Sequence, residues 1–263
     1  MNRKILLWIG ALVVIGGAGG LYFYATRPSP PEAAPAPPPA AIATTPPPAE
    51  PPPIENPVPE APDAAPLPEL DASDAPLRAG LEELTGAAAL AELLRPEDLV
   101  RHIVATVDGL PRPRLDVEVR PLHRASGEFM AVGPDDAAIM NPRNAERYAP
   151  YVRVVAALDM QRLAALYFHY YPLFQQAYRD LGNPDGYFND RLVAVIDQLL
   201  ATPDVQEPVR LVRPKVMYEF ADPKLQALSS GQKLLIRLGP AQRHSVLAQL
   251  RTLRAVVAHP PAR

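Results

Sequence analysis

Glu219 and Asp222 are the two residues whose type and spacing come nearest to hydrolytic chemistry in this sequence. A pair of carboxyl groups can cleave a glycosidic bond, with one acting as general acid and the other as base or nucleophile. Asp222, however, directly precedes Pro223, and Asp before Pro is a typical helix start in which the carboxylate caps free N–H groups. A carboxylate-dependent hydrolase acting on glycan is therefore kept as the alternative function, and no catalytic residue follows from the sequence.

An aromatic cluster is the most unusual feature of the chain. Ten of its sixteen Phe and Tyr residues lie between Tyr148 and Phe188. Some recur in steps of three and four, which places them on one helical face that we expect to be core; this face comprises Leu163, Tyr167, Tyr170, Phe174, Tyr178 and Leu181. Phe168, His169 and Tyr171 fall off it, and we predict them to be exposed. Phe168 and Tyr171 could then contact a sugar or a protein partner.

Four further residues, Tyr187, Asn189, Asp190 and Arg191, lie near a predicted helix start. A carboxylate in the first turn of a helix also interacts favourably with the helix dipole, so Asp190 has a structural interpretation beside a binding one. With Phe168 and Tyr171, these four residues form the predicted binding site.

A basic stretch between residues 112 and 124 could bind phosphate groups of a glycan or lipid. Its cations are Arg112, Arg114, Arg120 and Arg124, with His123 beside them. Asp116 and Glu118 interrupt the stretch, which favours an ordinary solvated surface.

Several kinds of site are excluded by composition. The chain has no Cys, so it can hold neither a disulfide nor a cysteine-ligated metal. Its five His lack the spacing of a zinc-binding helix, and no glycine-rich phosphate loop is present. With a net charge of -3 it lacks the basic excess that nucleic-acid binding needs. We predict no metal, no cofactor and no nucleic-acid partner.

Five longer motifs resemble a known family. They are RHIVATVDGLPR (101–112), YYPLFQQAY (170–178), YFNDRL (187–192), PKVMYEFADP (214–223) and SGQK (230–233). These motifs are similar to stretches of a bacterial family of unknown function, DUF3014, and the similarity covers about residues 70–257. The resemblance implies an envelope protein of a Gram-negative bacterium with an N-terminal anchor, and it implies no activity.

The first of three segments, residues 1–27, is a predicted membrane anchor. Residues 5–25 carry no charge, and as a helix they would cross the ~30 Å hydrocarbon core of a bilayer. Arg3 and Lys4 precede them, so we expect a single-pass inner-membrane protein with a cytoplasmic N-terminus and a periplasmic C-terminal part. A signal peptide cleaved near Gly20 is the alternative. Gly16 and Gly20 form a G-x-x-x-G pair that could support a homodimer.

The second segment, residues 28–68, is a predicted disordered linker. Eighteen of its 41 residues are Pro, and most of the others are Ala and Glu. Because Pro has a fixed φ and no backbone N–H, neither a helix nor a sheet can form there. We predict an extended spacer.

The third segment, residues 69–263, is predicted to be a single, mainly helical domain with a few short strands or extended segments. Capping residues and apolar spacing predict helices over about 73–84, 87–94, 96–107, 141 to beyond 155, 159–181, 184 or 187 to 200, 232–238 and 240–257, with a short one after Asp222. Pro172 lies inside the longest and should kink it. Strict alternation predicts a strand over 114–120, with 127–133 as its partner, and 208–220 is expected to be extended.

These expectations together predict a membrane-anchored protein of the cell envelope. Its exported domain would bind another envelope component, a protein or a glycan, and we expect it not to be an enzyme.

Overall fold

A computed structural model describes residues 53–59, 66–86, 90 and 93–259 of the chain. Within them the fold is mainly helical with one small antiparallel sheet, as the sequence predicts. The predicted anchor lies outside the described residues, as does most of the predicted helix over 87–94. No helix in the described ranges is long and apolar enough to cross a membrane.

Eight α-helices occur in the described residues. They are α1 (Asp74–Thr85), α2 (Leu99–Gly109), α3 (Ala149–Ala157), α4 (Met160–Asp180), α5 (Phe188–Leu200), α6 (Pro223–Gln226), α7 (Ser230–Arg237) and α8 (Pro240–Ala258). Two 3-10 helices, Leu70–Ala72 and Pro142–Tyr148, come before α1 and α3.

Local signals set the ends of the long helix α4. The carboxylate of Asp159 accepts hydrogen bonds from the backbone N–H groups of Gln161 and Arg162, at 2.9 and 3.2 Å. At the other end Gly182 has a φ of 108°, a conformation that favours glycine and stops the helix. Pro172 lies inside α4, as predicted.

The sheet has four short strands in the order β1-β2-β3-β4, and all neighbours are antiparallel. The strands are β1 (Ala131–Val132), β2 (Ala138–Met140), β3 (Arg210–Val212) and β4 (Glu219–Phe220). Their register pairs Ala131 with Met140, Ala138 with Leu211, and Leu211 with Phe220. The sheet covers its own small apolar cluster, which includes Met140, Leu211, Phe220 and Ile236.

The predicted strand over 114–120 is wrong, because these residues form turns and irregular backbone, and β1 pairs with β2 instead. The apolar alternation has another cause, which is packing against α2. A Cβ added at Gly109 would lie 2.5 Å from Cδ1 of Leu115, so the loop lies directly on the helix. The hydroxyl of Thr106 also donates to the carbonyl of Val119 at 2.8 Å.

Helix α4 lies at the centre of the helical part. It contacts α1, α2, α5 and α8, and α8 also packs on α3 and α5. The largest buried cluster joins α1, α2 and α4 with the start of α5; its buried members include Leu77, Leu99, Val104, Phe174 and Phe188. Burial of this apolar surface is the main force that holds the helices together.

Packing against the helical part begins before residue 69, the predicted start of the domain. Val58 and Leu67, both assigned to the linker, pack against the largest core cluster. Pro-rich backbone lacks donors for regular structure, but its apolar side chains can still be buried against a preformed surface.

Candidate functional site

The corner between α4 and α5 brings several predicted binding residues together. Residues 181–187 join the two helices, and a buried glutamine fixes this connection. Gln175 donates through Nε2 to the carbonyl of Gly186 at 2.7 Å, and its Oε1 accepts from the backbone N–H of Phe188 at 2.8 Å. The hydroxyl of Tyr171 also donates to that Oε1, at 2.8 Å. The start of α5 is therefore held rigidly against α4.

Asn189 is fully buried at this corner, and both polar atoms of its side chain form hydrogen bonds. Its Nδ2 donates to the carbonyl oxygens of Asn56 and Val257, both at 2.9 Å. Its Oδ1 accepts from the hydroxyl of Tyr167 at 3.1 Å. One side chain thus connects α4, α5, α8 and the segment 53–59.

Asp190 and Tyr187 hold the same segment from the surface. Oδ1 of Asp190 accepts from the backbone N–H of Asn56 at 2.6 Å and from its Nδ2 at 2.9 Å. Oδ2 of Asp190 accepts from the backbone N–H of Glu55 at 3.1 Å. The hydroxyl of Tyr187 accepts from the backbone N–H of Val58 at 3.0 Å. We call Tyr187, Asn189 and Asp190 the clasp, and residues 53–59 the docked segment.

The docked segment, Pro-Ile-Glu-Asn-Pro-Val-Pro, is recognised mainly through its backbone. Four of its five hydrogen bonds to the clasp use backbone atoms, and only one uses the side chain of Asn56. Val58 adds an apolar contact with the core. Because each Pro has a fixed φ, docking this segment costs less conformational entropy than docking a segment without Pro.

Arg191 does not contact the docked segment, so its predicted binding role finds no support in the geometry. Its Nε donates to Oδ1 of Asp108 and its Nη2 to the carbonyl oxygen of Asp108, both at 2.9 Å. Arg112 also donates to Asp108, at 2.6 Å. This network ties α5 to the end of α2.

The predicted exposure of Tyr171 is wrong. Its relative exposure is 8%, and its ring lies 5.7 Å from that of Tyr167 and 5.5 Å from that of Tyr187. Phe168 and His169 are half-buried rather than exposed. Because helices pack on several sides of α4, no second exposed aromatic face forms.

The predicted core stripe is largely confirmed. Tyr170, Phe174 and Tyr178 are buried, and Phe174 stacks on Phe188 with the ring centroids 5.9 Å apart. Leu181 is an exception, being exposed beyond the end of α4. The stripe therefore predicts the core until the helix ends and the chain turns away.

Two tyrosines of the corner are neutral donors over a wide pH range. Burial raises the pKa of Tyr167 well above its usual value, and the nearby Tyr171, Tyr187 and Asp190 raise it further. Burial also raises the pKa of Tyr171 strongly. The hydroxyl protons that position Asn189 and Gln175 are therefore retained at neutral pH.

A family model described as "Protein of unknown function (DUF3014)" matches residues 99–254, which is more than half of the chain. The chain belongs to the DUF3014 family. The resemblance found in the sequence is thereby confirmed. No curated protein and no solved structure matches the chain significantly. The DUF3014 match runs from the start of α2 into α8, so it includes the clasp and leaves the docked segment outside.

The two carboxylates considered for hydrolysis lie at the sheet side of the DUF3014 domain. Asp222 caps α6, since its carboxylate accepts from the backbone N–H of Lys224 at 2.8 Å. An open cavity of about 400 Å³ lies beside Asp222, with Val205, Arg210 and Leu225 among its lining residues, but Glu219 does not line it. Glu219 and Asp222 therefore do not line this cavity together. No group of three or more acidic or His side chains in the described ranges could hold a metal ion.

The sequence analysis missed Gln175 and the docked segment, and it assigned Tyr167 to the core without its hydrogen bond to Asn189. One signal was available in the linker, where Ile54, Asn56 and Val58 interrupt a run of Pro and Ala. Asn56 is the single Asn of residues 28–68, and its amide can both donate and accept. An amide among prolines is a reason to expect a specific contact.

Proposed function

We propose that this DUF3014 protein is a membrane-anchored protein of the bacterial cell envelope whose periplasmic domain binds a peptide segment of another envelope protein. Residues 5–25 would lie in the inner membrane, with the N-terminus in the cytoplasm, and residues 28–52 would serve as a spacer. The uncharged stretch after Arg3 and Lys4 supports this topology. The Pro-rich composition of the linker supports the spacer.

The observation that carries the proposal is that the clasp already holds a peptide segment, residues 53–59, which bends at Glu55 and Asn56. The bonds to Glu55, Asn56 and Val58 are made mostly with backbone groups, which every peptide offers. A carboxylate that accepts from two successive backbone N–H groups suits a bent peptide better than a sugar, because such groups meet at one acceptor where the chain turns. This favours a protein partner over a glycan.

The docked segment would then act as an internal competitor. A ligand on the same chain has an effective concentration in the millimolar range for a short, flexible connection. A partner must bind the clasp more strongly than the docked segment does at this effective concentration. It therefore needs side chains that the docked segment lacks, or a second contact elsewhere on the domain. Release of residues 53–59 would open the clasp and free part of the linker.

The experiment places a photo-crosslinking amino acid at Asp185, which is exposed in the connection before the clasp. It compares three full-length chains in living cells: the otherwise unchanged protein, Asn56→Ala, and Asn56→Ala with Asp190→Ala. Asn56→Ala removes the side-chain bond of the docked segment and leaves the clasp intact.

We expect crosslinks to a partner protein to increase in Asn56→Ala and to disappear when Asp190→Ala is added. Addition of a peptide with the sequence of residues 53–59 to permeabilised cells should reduce the crosslinks. The proposal fails if Asn56→Ala leaves crosslinking unchanged, or if the crosslinks survive Asp190→Ala. The hydrolase alternative gains no support, because Asp222 is used as a helix cap.

A further inference from the structure

Burial divides the residues of the docked segment into two groups. Asn56, Val58 and Pro59 are half-buried, whereas residues 53–55 and Pro57 are exposed. Ile54, the largest apolar side chain of the segment, keeps 54% of its surface exposed. The domain can therefore select side chains at only a few positions of a bound peptide.

Asn56 makes most of the hydrogen bonds between the docked segment and the clasp. Its backbone N–H and its Nδ2 both donate to Oδ1 of Asp190, at 2.6 and 2.9 Å. Its backbone carbonyl accepts from Nδ2 of Asn189 at 2.9 Å. Three of the five hydrogen bonds therefore involve this one residue.

The contact with Asp190 selects the side chain at position 56. A carboxylate only accepts hydrogen bonds, so the residue that faces it must supply a donor, as the amide of Asn56 does. Asp has nearly the same shape as Asn, but it would place a second negative charge beside Asp190. Ala offers no donor. The clasp therefore distinguishes Asn from Asp by charge and from Ala by the missing hydrogen bond.

Val58 is the second selected position. It packs against the largest core cluster, and its backbone N–H donates to the hydroxyl of Tyr187 at 3.0 Å. A charged side chain in this place would be partly removed from water without an opposite charge to compensate it. An Ile or Leu side chain would again bury apolar surface. The site therefore favours an aliphatic residue here.

Pro57 separates the two selected residues and acts through the backbone. It is exposed, so its ring is not itself selected by contact. Its φ is fixed, and its ring also restricts the backbone of the residue before it, which is Asn56. A segment with Pro at this position loses less conformational entropy when it docks.

We propose that the clasp recognises the motif Asn-Pro followed by an aliphatic residue, and that the segment of the envelope partner carries this motif. The inference rests on the proposed function and names the class of segment that the clasp accepts. Positions 53–55 are free to differ between the docked segment and the partner, because the domain leaves them exposed. These positions, or a second contact elsewhere, would give the partner its advantage over the docked segment.

The first arm of the test titrates labelled peptides into the full-length chain in a nonionic detergent. Residues 54–58 of this chain are replaced by Gly and Ser so that the clasp is open, and the parent peptide has the sequence of residues 53–59 with both ends blocked. Peptides with Asn56→Asp or Val58→Asp should bind at least about tenfold more weakly than the parent. Glu55→Gln and Ile54→Ala, at exposed positions, are the matched controls and should stay within about twofold.

The outcomes of this arm separate the motif from the clasp. Equal affinity of all the peptides, with binding lost in Asp190→Ala, would overturn the motif and leave a peptide-binding clasp in place. Absence of binding by every peptide, the parent included, would overturn both. If the opened chain does not fold, the same substitutions are made in the unchanged full-length protein. Hydrogen exchange at residues 55–58 should then be faster in Asn56→Asp and unchanged in Glu55→Gln.

The second arm identifies the segment of the partner that crosslinks at Asp185, by mass spectrometry of the crosslinked peptides. We expect this segment to contain Asn-Pro-Val, Asn-Pro-Ile or Asn-Pro-Leu, and replacement of its Asn by Asp should abolish the crosslink. A segment without the motif whose crosslink depends on Asp190 would overturn the motif and still support the proposed function. If no partner crosslinks, the proposed function fails, and the extension of the motif from the docked segment to a partner fails with it.

Discussion

Asp190 binds Asn56 with two hydrogen bonds, from the backbone N–H at 2.6 Å and from Nδ2 at 2.9 Å, although 134 residues separate them in the chain. This contact fixes one part of the Pro-rich linker, residues 53–59, beside the start of α5. The part of the linker before the docked segment, residues 28–52, would extend at most roughly 80 Å at ~3.1 Å per residue. The contact therefore limits how far the domain could reach from an anchor.

Removal of the carboxylate in Asp190→Ala should release the docked segment. The backbone N–H groups of Glu55 and Asn56 lose their acceptor, and charged hydrogen bonds of this kind contribute about 1.5–3 kcal/mol each at most. Hydrogen exchange measured by mass spectrometry should show faster exchange at residues 55–58. Asp185→Ala, which removes an exposed carboxylate of the α4–α5 connection, is the control and should leave these residues protected. Equal protection in both variants would contradict the docking.

The aromatic helix should show a graded loss of stability. Phe174 and Tyr171 are buried, so truncation of either to Ala should lower the free energy of unfolding by ~3–5 kcal/mol. Phe168 is half-buried, and Phe168→Ala should cost less than either. Denaturant unfolding of the three variants measures how much each substitution lowers the free energy of unfolding. A change within ~0.5 kcal/mol for Tyr171→Ala would mean that this side chain lies on the surface.

Alkaline pH should destabilise the fold through Tyr167 and Tyr171. Burial raises the pKa of both above the ~10 that a tyrosine has in an unfolded chain. The folded state therefore keeps protons that the unfolded state releases, so this contribution is complete below about pH 10 and declines as the pH rises above it. Unfolding midpoints measured against pH should decline less steeply in Tyr167→Phe. An unchanged slope would show that Tyr167 ionises equally easily in both states.

The proposed topology predicts that a reporter fused after Pro68 is active only in its exported form. The basic residues Arg3 and Lys4 should hold the N-terminus in the cytoplasm, and residues 5–25 should remain in the membrane. Alkaline phosphatase and a cytoplasmic fluorescent protein are suitable paired reporters. Cytoplasmic activity of the fusion would reverse the orientation. A soluble product that begins near Gly20 would indicate a cleaved signal peptide instead.

Elements with local signals could be predicted from the sequence. Asp159 and Gly182 bound α4, and Asp222 starts α6, because caps depend on residues within one helical turn. The stripe with Tyr170, Phe174 and Tyr178 also predicts the core correctly, because helical spacing fixes which residues share a face.

Features that depend on distant contacts could not be predicted. Tyr171 is buried in part because the ring of Tyr187, which lies beyond the end of α4, packs against it, and no spacing within α4 indicates that contact. The docked segment is held mainly through its backbone, and backbone hydrogen bonds do not depend on residue type. The sequence of the segment therefore gives little indication of the contact. The alternation of apolar and polar residues at 115–119 is compatible with a strand and also with a loop that packs on a helix. The pattern alone therefore does not distinguish the two structures.

Binding of the docked segment as a separate peptide tests the central claim most directly. In this measurement residues 54–58 of the full-length chain are replaced by Gly and Ser, and a labelled peptide with the sequence of residues 53–59 is titrated while fluorescence anisotropy is recorded. We expect saturable binding that weakens at least about tenfold in Asp190→Ala and with a peptide in which Asn56 is replaced by Ala. Absence of saturation, or equal affinity with and without Asp190, would contradict a peptide-binding clasp.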